Sequence, residues 1–188
     1  MSVRFAVLVS GSGTNLQALL DAAEQAPFEI SLVVSNRKDA YGLERARRAG
    51  VHAVHIPHKG KSRGAFDAEL VEVLKSHGVD WVLLAGFMRI LTPVFLDAFP
   101  NRVVNIHPSL LPSFPGVNAQ KQAFDAGVRI AGATVHFVDA GMDTGPIIAQ
   151  GAVAVHDTDD EASLRNRILS VEHRVFPMVM QWIAEGRV

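Results

Sequence analysis

Asn105 and His107 stand two residues apart at the end of an apolar run, in Val104-Asn105-Ile106-His107-Pro108-Ser109-Leu110-Leu111-Pro112. In an extended strand, positions two apart point to the same side. One reacting centre can therefore meet both side chains. The amide can polarise a carbonyl, and the imidazole can move a proton near neutral pH. The prolines that follow stiffen the exit from the strand. Downstream, Asp143 lies in the turn-rich segment Ala140-Gly141-Met142-Asp143-Thr144-Gly145-Pro146. A loop there can fold a carboxylate over the same edge. Each of the three alone reads as a turn cap or a satisfied hydrogen bond; their joint occurrence suggests group-transfer chemistry.

A second candidate is the turn Ser10-Gly11-Ser12-Gly13-Thr14-Asn15, between a first strand and a first helix. Glycines permit a tight turn, and a helix N-terminus offers free amides to an anion. The plain alternative is a strand–helix connection that uses glycine and a cap. Two nucleotide motifs fit poorly. No lysine follows the turn as a P-loop requires, and Leu16 stands where a dinucleotide fingerprint wants a third glycine. The second strand also ends at Ser35-Asn36-Arg37-Lys38, without the acidic residue of that fingerprint. Arg37 and Lys38 could meet the 2′-phosphate of NADP, which keeps an NADP-dependent oxidoreductase open as an alternative, although it leaves Asn105 and His107 unexplained. His52, His55 and His58 recur every third residue but straddle a predicted strand and Pro57, so they read as surface histidines rather than metal ligands. His136, in a strand near the Asp143 loop, can support the site or be a hydrogen-bonded core histidine.

The elements that must position these groups alternate along the chain. Strands are expected at Val3 to Val9, Glu29 to Val34, Ala53 to Ile56, Trp81 to Ala85 and Val103 to Ile106. Helices are expected from Asn15, over Leu43 to Ala49 and over Arg63 to Lys75. This order predicts an α/β fold: an open, Rossmann-like, mostly parallel sheet with helices on both faces. Asn105 and His107 then fall at the carboxyl edge, where such sheets bind ligands. Ser109 to Val117 is expected to be an extended loop, and Asn118 to Ala126 a short helix closed by Gly127. Ala133 to Val138 and Ile147 to Val155 predict an antiparallel C-terminal extension, followed by a long helix from Asp159 to Ile183, bent near Pro177.

Composition narrows the classes. The 188 residues predict a single domain, and 48% apolar content argues against a disordered chain. A formal net charge of −1 argues against broad nucleic-acid binding. With no cysteine, thiolate chemistry and disulfides are excluded. The first residues run straight into a strand pattern, and no apolar run reaches the roughly 20 residues of a spanning helix. A soluble cytoplasmic protein is expected, as a monomer or homodimer, with no metal, no nucleic acid and no membrane partner.

The ordered set of motifs resembles the phosphoribosylglycinamide formyltransferases, the folate-dependent glycinamide ribonucleotide transformylases. It runs from Val7-Leu8-Val9-Ser10-Gly11-Ser12-Gly13-Thr14-Asn15-Leu16-Gln17 to Glu172-His173. Between them lie Ala85 to Leu91, Asn105 to Pro112, Thr134 to Val138 and Asp143 to Ile148. The resemblance implies a single formyltransferase domain over 1–188. It implies transfer of a formyl group from 10-formyltetrahydrofolate, the donor cosubstrate, to the amine of glycinamide ribonucleotide in de novo purine synthesis. It implies Asn105, His107 and Asp143 as the catalytic three and His136 as a supporting residue. Gly11, Ser12, Gly13, Thr14 and Asn15 become the ribonucleotide phosphate turn, with Arg63 and Glu172 also on the substrate side. Met88, Arg89, Ile90 and Leu91 become a folate wall, and Val138, Asp139, Ala140, Gly141 and Met142 the loop along the pterin. Core packing is the plain alternative for Met88, Ile90 and Leu91. One departure stands out: relatives commonly carry a histidine pair after Pro115-Gly116, where this chain reads Val117-Asn118-Ala119-Gln120. Ser109 is a conceivable nucleophile, but no Gly-x-Ser-x-Gly surrounds it, so direct transfer is expected. Transfer-RNA formyltransferases and formyltetrahydrofolate hydrolases are the nearest alternatives, and these usually carry a further domain. A non-catalytic folate binder is another, which the three polar residues argue against.

Overall fold

In the computed structural model, which describes residues 2–24, 26 and 28–188, the five apolar runs form parallel strands. They are β1 (Val3–Val9), β2 (Phe28–Ser35), β3 (His52–His55), β4 (Trp81–Leu84) and β5 (Val103–His107). The helices between them are α1 (Thr14–Ala23), α2 (Tyr41–Arg48), α3 (Arg63–Ser76) and the single turn α4 (Pro93–Leu96). After them come α5 (Ala119–Asp125), β6 (Ile130–Phe137), β7 (Ile147–Ala154) and α6 (Glu161–Ala184). The sheet order is β3-β2-β1-β4-β5-β6-β7, with β6 and β7 antiparallel to their neighbours. The chain runs outward from β1 to β3, then returns to β4 on the other side of β1. The crevice at that reversal is where open sheets of this kind bind ligands.

The pleat of β1 explains the two layers. Phe5, Val7 and Val9 join a core with α1 and α6, including Leu16, Leu19, Phe176 and Met180. Ala6 and Leu8 point the other way, into a core with Phe66, Leu70 and Leu74 of α3 and Phe95 of α4. Alternate residues of one strand thus face opposite layers. Because both faces are covered, the strand reads as a continuous apolar run.

Several boundaries differ from the sequence expectation. β6 begins at Ile130 rather than Ala133, because Gly132 serves a close approach rather than a break. A Cβ there would come within 2.0 Å of the Gly151 carbonyl oxygen on β7. Ser109 to Val117 is a series of turns, not an extended loop: Phe114 and Gly116 both take left-handed backbone conformations. Helix α6 does continue through Pro177, as its expected span required. That residue cannot bond the carbonyl four positions back, but Val175, Phe176, Val179 and Met180 around it are buried in the core. The turn α4, begun by Pro93 after Thr92, had no periodic apolar pattern to announce it.

Candidate active site

The antiparallel register of β5 and β6 sets Asn105 opposite His136 and His107 opposite Thr134. Four polar side chains therefore share one face of two paired strands. The Asn105 Nδ2 donates to His136 Nε2 at 3.1 Å. This requires His136 to carry its proton on Nδ1, and that atom donates to the Phe137 carbonyl at 2.8 Å. Burial pushes the His136 pKa down, which keeps the ring neutral and able to accept. The second proton on the Asn105 amide is left for another acceptor. His107 is buried, and its Nε2 donates to the Phe114 carbonyl at 2.9 Å. Its Nδ1 lies 3.4 Å from Asp143 Oδ2.

Asp143 is held from the other side. Its Oδ2 accepts from the Gly116 amide at 2.7 Å, and its own backbone has φ 55°. Its Oδ1 is 3.7 Å from His136 Nε2. With His136 neutral, that second contact is not an ion pair. The turn after Pro112 and the loop after β6 are thus fastened to one carboxylate. Thr134 reinforces the first of them, donating to Ser109 O at 2.7 Å while accepting from Leu111 N at 3.0 Å. Ser109 Oγ donates to the Ser113 carbonyl at 2.6 Å and is buried.

A cavity of about 440 Å³ opens beside these groups. Asn105, His136 and Asp143 form its polar end. Met88, Arg89, Ile90 and Leu91 form one wall, with Phe87 and Leu84 beneath. Val138, Asp139, Gly141 and Met142 form the opposite wall; Ala140 does not line it. Met88 and Met142 are 71% and 56% exposed, unusual for such apolar residues without a covering partner. Arg63 also lines this cavity, so the geometry groups it with the apolar walls rather than with the glycine turn. The Arg89 guanidinium lies 4.4 Å above the Phe66 ring, and its Nε is buried without a hydrogen-bond partner. Val117 is 77% exposed at the rim, and Asn118, where the expected departure begins, caps α5 in a left-handed conformation.

The glycine turn is tight at Gly13 and open at Gly11. Gly13 has φ 70°, and a Cβ there would meet the Gly42 Cα at 2.7 Å. Gly11 faces open space instead. No side chain caps α1, so its first amides remain available. Arg45 Nε donates to the Ser12 carbonyl at 2.8 Å, bracing the turn from α2. Across from it, Glu172 Oε2 accepts from Asn15 Nδ2 at 2.5 Å. The remaining oxygens, Glu172 Oε1 and Asn15 Oδ1, are buried without a hydrogen-bond partner. Burial pushes the Glu172 pKa up; the Asn15 bond and the nearby His107 oppose it.

Other expected candidates fall elsewhere. Arg37 pairs with Asp39 at 3.3 Å on the surface. His52 stacks on His77, and His58 bonds the Asn36 backbone. Among the described residues no group of three His, Cys, Asp or Glu is placed to hold a metal ion, and no helix is long and apolar enough to cross a membrane. Contributors absent from the sequence reading are Gly42 and the backbone groups of Phe114 and Gly116. Backbone donors and acceptors leave no residue-type signal, whereas Gly42, in Tyr41-Gly42-Leu43, could have been read as a packing glycine at a helix start.

Residues 3–180 match the formyl transferase family. The chain is 44% identical over 185 residues to a phosphoribosylglycinamide formyltransferase of Escherichia coli, covering 96% of this chain and 87% of that one. It is 49% identical over 188 residues to a trifunctional purine biosynthetic protein of Drosophila melanogaster, covering 97% of this chain but only 14% of that longer protein. The crystal structure of a glycinamide ribonucleotide transformylase from Symbiobacterium toebii superposes with a TM-score of 0.97 at 56% identity, covering 99% of this chain and 89% of that one.

Proposed function

The chain belongs to the formyl transferase family, and from that premise we propose that it moves a formyl group from 10-formyltetrahydrofolate to the amine of glycinamide ribonucleotide, in the cytoplasm, as a step of purine synthesis. The relatives' names supply the reaction class. The observation that carries the assignment to residues is the polar end of the cavity, where Asn105, His136 and Asp143 meet beside an apolar slot, with His107 buried behind Asp143. A pterin fits the slot between the Met88–Leu91 and Val138–Met142 walls, and a volume near 440 Å³ is of ligand size. Arg63 and Arg89 supply cations for the donor's carboxylates. The ribonucleotide phosphate takes the turn at Gly11 to Asn15, and Glu172 with Asn15 offers unpaired acceptors to its hydroxyls or amine.

In this reading the neutral substrate amine attacks the formyl carbon. The carbonyl electrons move to oxygen, giving a tetrahedral centre with negative charge. The free Asn105 amide proton donates to that oxygen, and neutral His136 keeps the amide facing it. The bond from formyl carbon to the folate nitrogen then breaks as the carbonyl re-forms. A proton leaves the attacking nitrogen and a proton arrives on the departing one. We assign that transfer to His107: Nε2 is committed to the Phe114 carbonyl, so Nδ1, facing Asp143, is the nitrogen that exchanges. Asp143 balances the charge when both ring nitrogens are protonated. The bond from Ser109 Oγ to Ser113 supports direct transfer over an acyl-serine route. The experiment is an assay of the purified chain with both substrates and no added metal or NADP. Formylated ribonucleotide and tetrahydrofolate in equal amounts are expected; no product from competent, folded protein would overturn the reading.

A further inference from the structure

We propose that Ser10 is a positioning residue that clasps the ribonucleotide turn to the folate wall, so that each ligand's wall is ordered by the other. The inference rests on the formyl-transfer reading, because it needs both walls to be ligand walls. Three neighbouring strands, β2, β1 and β4, end side by side at the crevice. The β1 exit becomes the glycine turn, and the β4 exit becomes the segment at Met88. Ser10 sits where they diverge and is 3% exposed. Its amide donates to the Gly86 carbonyl at 3.2 Å. Its hydroxyl accepts from the Met88 amide at 2.8 Å and donates to Asn36 Oδ1 at 2.6 Å. Asn36, at the end of β2, is itself buried, and its carbonyl accepts from His58 Nδ1 at 2.8 Å.

This arrangement does more than satisfy a buried hydroxyl. Met88 leads the exposed wall of the cavity, and its amide needs an acceptor once a ligand covers it. The residue that supplies the acceptor is joined directly to Gly11, an exposed residue of the anion turn. A shift of the turn therefore moves the wall's anchor. Asn36 fixes the direction of the hydroxyl proton, which leaves the oxygen lone pairs for Met88. Ordering of one wall by its ligand lowers the cost of ordering the other, which is positive coupling between two sites.

The test uses tetrahydrofolate titrations with and without saturating glycinamide ribonucleotide, and steady-state kinetics with 10-formyltetrahydrofolate. In the wild type, ribonucleotide should tighten folate binding. Ser10→Ala should raise the folate KM roughly tenfold, the typical effect of one lost hydrogen bond. Its kcat should stay within about threefold, because the reacting groups keep their own partners. The tightening by ribonucleotide should shrink toward one. Ser10→Thr keeps the hydroxyl and should restore both quantities. Asn36→Ala releases the hydroxyl without touching Ser10 and should show the same pattern more weakly; it decides the matter if Ser10→Ala does not fold. Wild-type KM and coupling in both alanine variants overturn the proposal, as does a loss of kcat with unchanged KM. A wild type that binds both ligands independently overturns it too. Failure of the wild type to bind or convert either ligand fells the functional reading instead, whatever the variants do.

Discussion

Asp143 is the residue whose chemistry can be changed with least disturbance to its surroundings. Its backbone, at φ 55°, suits Asn as well as Asp, since both tolerate the left-handed region. In Asp143→Asn, the amide oxygen can still accept from the Gly116 amide, so both loops stay fastened. What disappears is the negative charge 3.4 Å from His107 Nδ1. The imidazole then has no anion to balance its doubly protonated form. Turnover should fall by roughly 10²–10⁴, the usual range for general acid–base groups, with little change in the Kd of tetrahydrofolate. Single-turnover transfer and folate titration on the same preparation check this. Near-normal turnover removes Asp143 from the mechanism.

At the level of elements, the sequence showed the parallel half of the sheet plainly and the antiparallel half only in outline. β1 reads as an unbroken apolar run from Phe5 to Val9 because both faces are buried there. The placement of Asn105 and His107 on one face followed from strand periodicity alone. Their joint meeting with His136 and Asp143 did not, because it depends on the β5–β6 register and on two left-handed turns. Helix α6 shows a second consequence of local chemistry. Asp160 and Ser163 form a reciprocal cap at its start, and just before it Asp159 accepts from His156 N, Ser163 Oγ and both Arg167 terminal nitrogens. The Arg167 guanidinium, first among these, holds the Asp159 carboxyl below the ordinary carboxylate range. A carboxyl depressed in the fold stabilises it above the unfolded pKa, and that contribution fades as pH falls through the folded value. Asp159→Asn should therefore be less stable than wild type at neutral pH, and the gap should narrow on acidification below about pH 4. Denaturant midpoints of the two proteins across that range measure it; a gap independent of pH contradicts the charge assignment.

For the whole molecule, the two apolar layers are not independent. They share β1, with Phe5, Val7 and Val9 in one and Ala6 and Leu8 in the other. They share β5 too, where Val103 belongs to the α3–α4 layer and Val104 and Ile106 to the α1–α6 layer. Neither layer can open without exposing the back of a strand that seals the other. Unfolding should therefore be one transition, with calorimetric and van't Hoff enthalpies equal. The proposed ligands bind at the edge of that shared sheet, so they should stabilise all of it. At a free concentration of about 100 times its Kd, glycinamide ribonucleotide should add roughly 2.7 kcal/mol. For a chain of this size, about 2–4 °C of Tm accompanies each kcal/mol, which puts the expected rise at roughly 5–10 °C. The midpoint should move as a single peak in differential scanning calorimetry. A ligand-dependent second peak, or a rise confined to part of the enthalpy, would show that the β1 and β5 seams do not join the layers into one cooperative body.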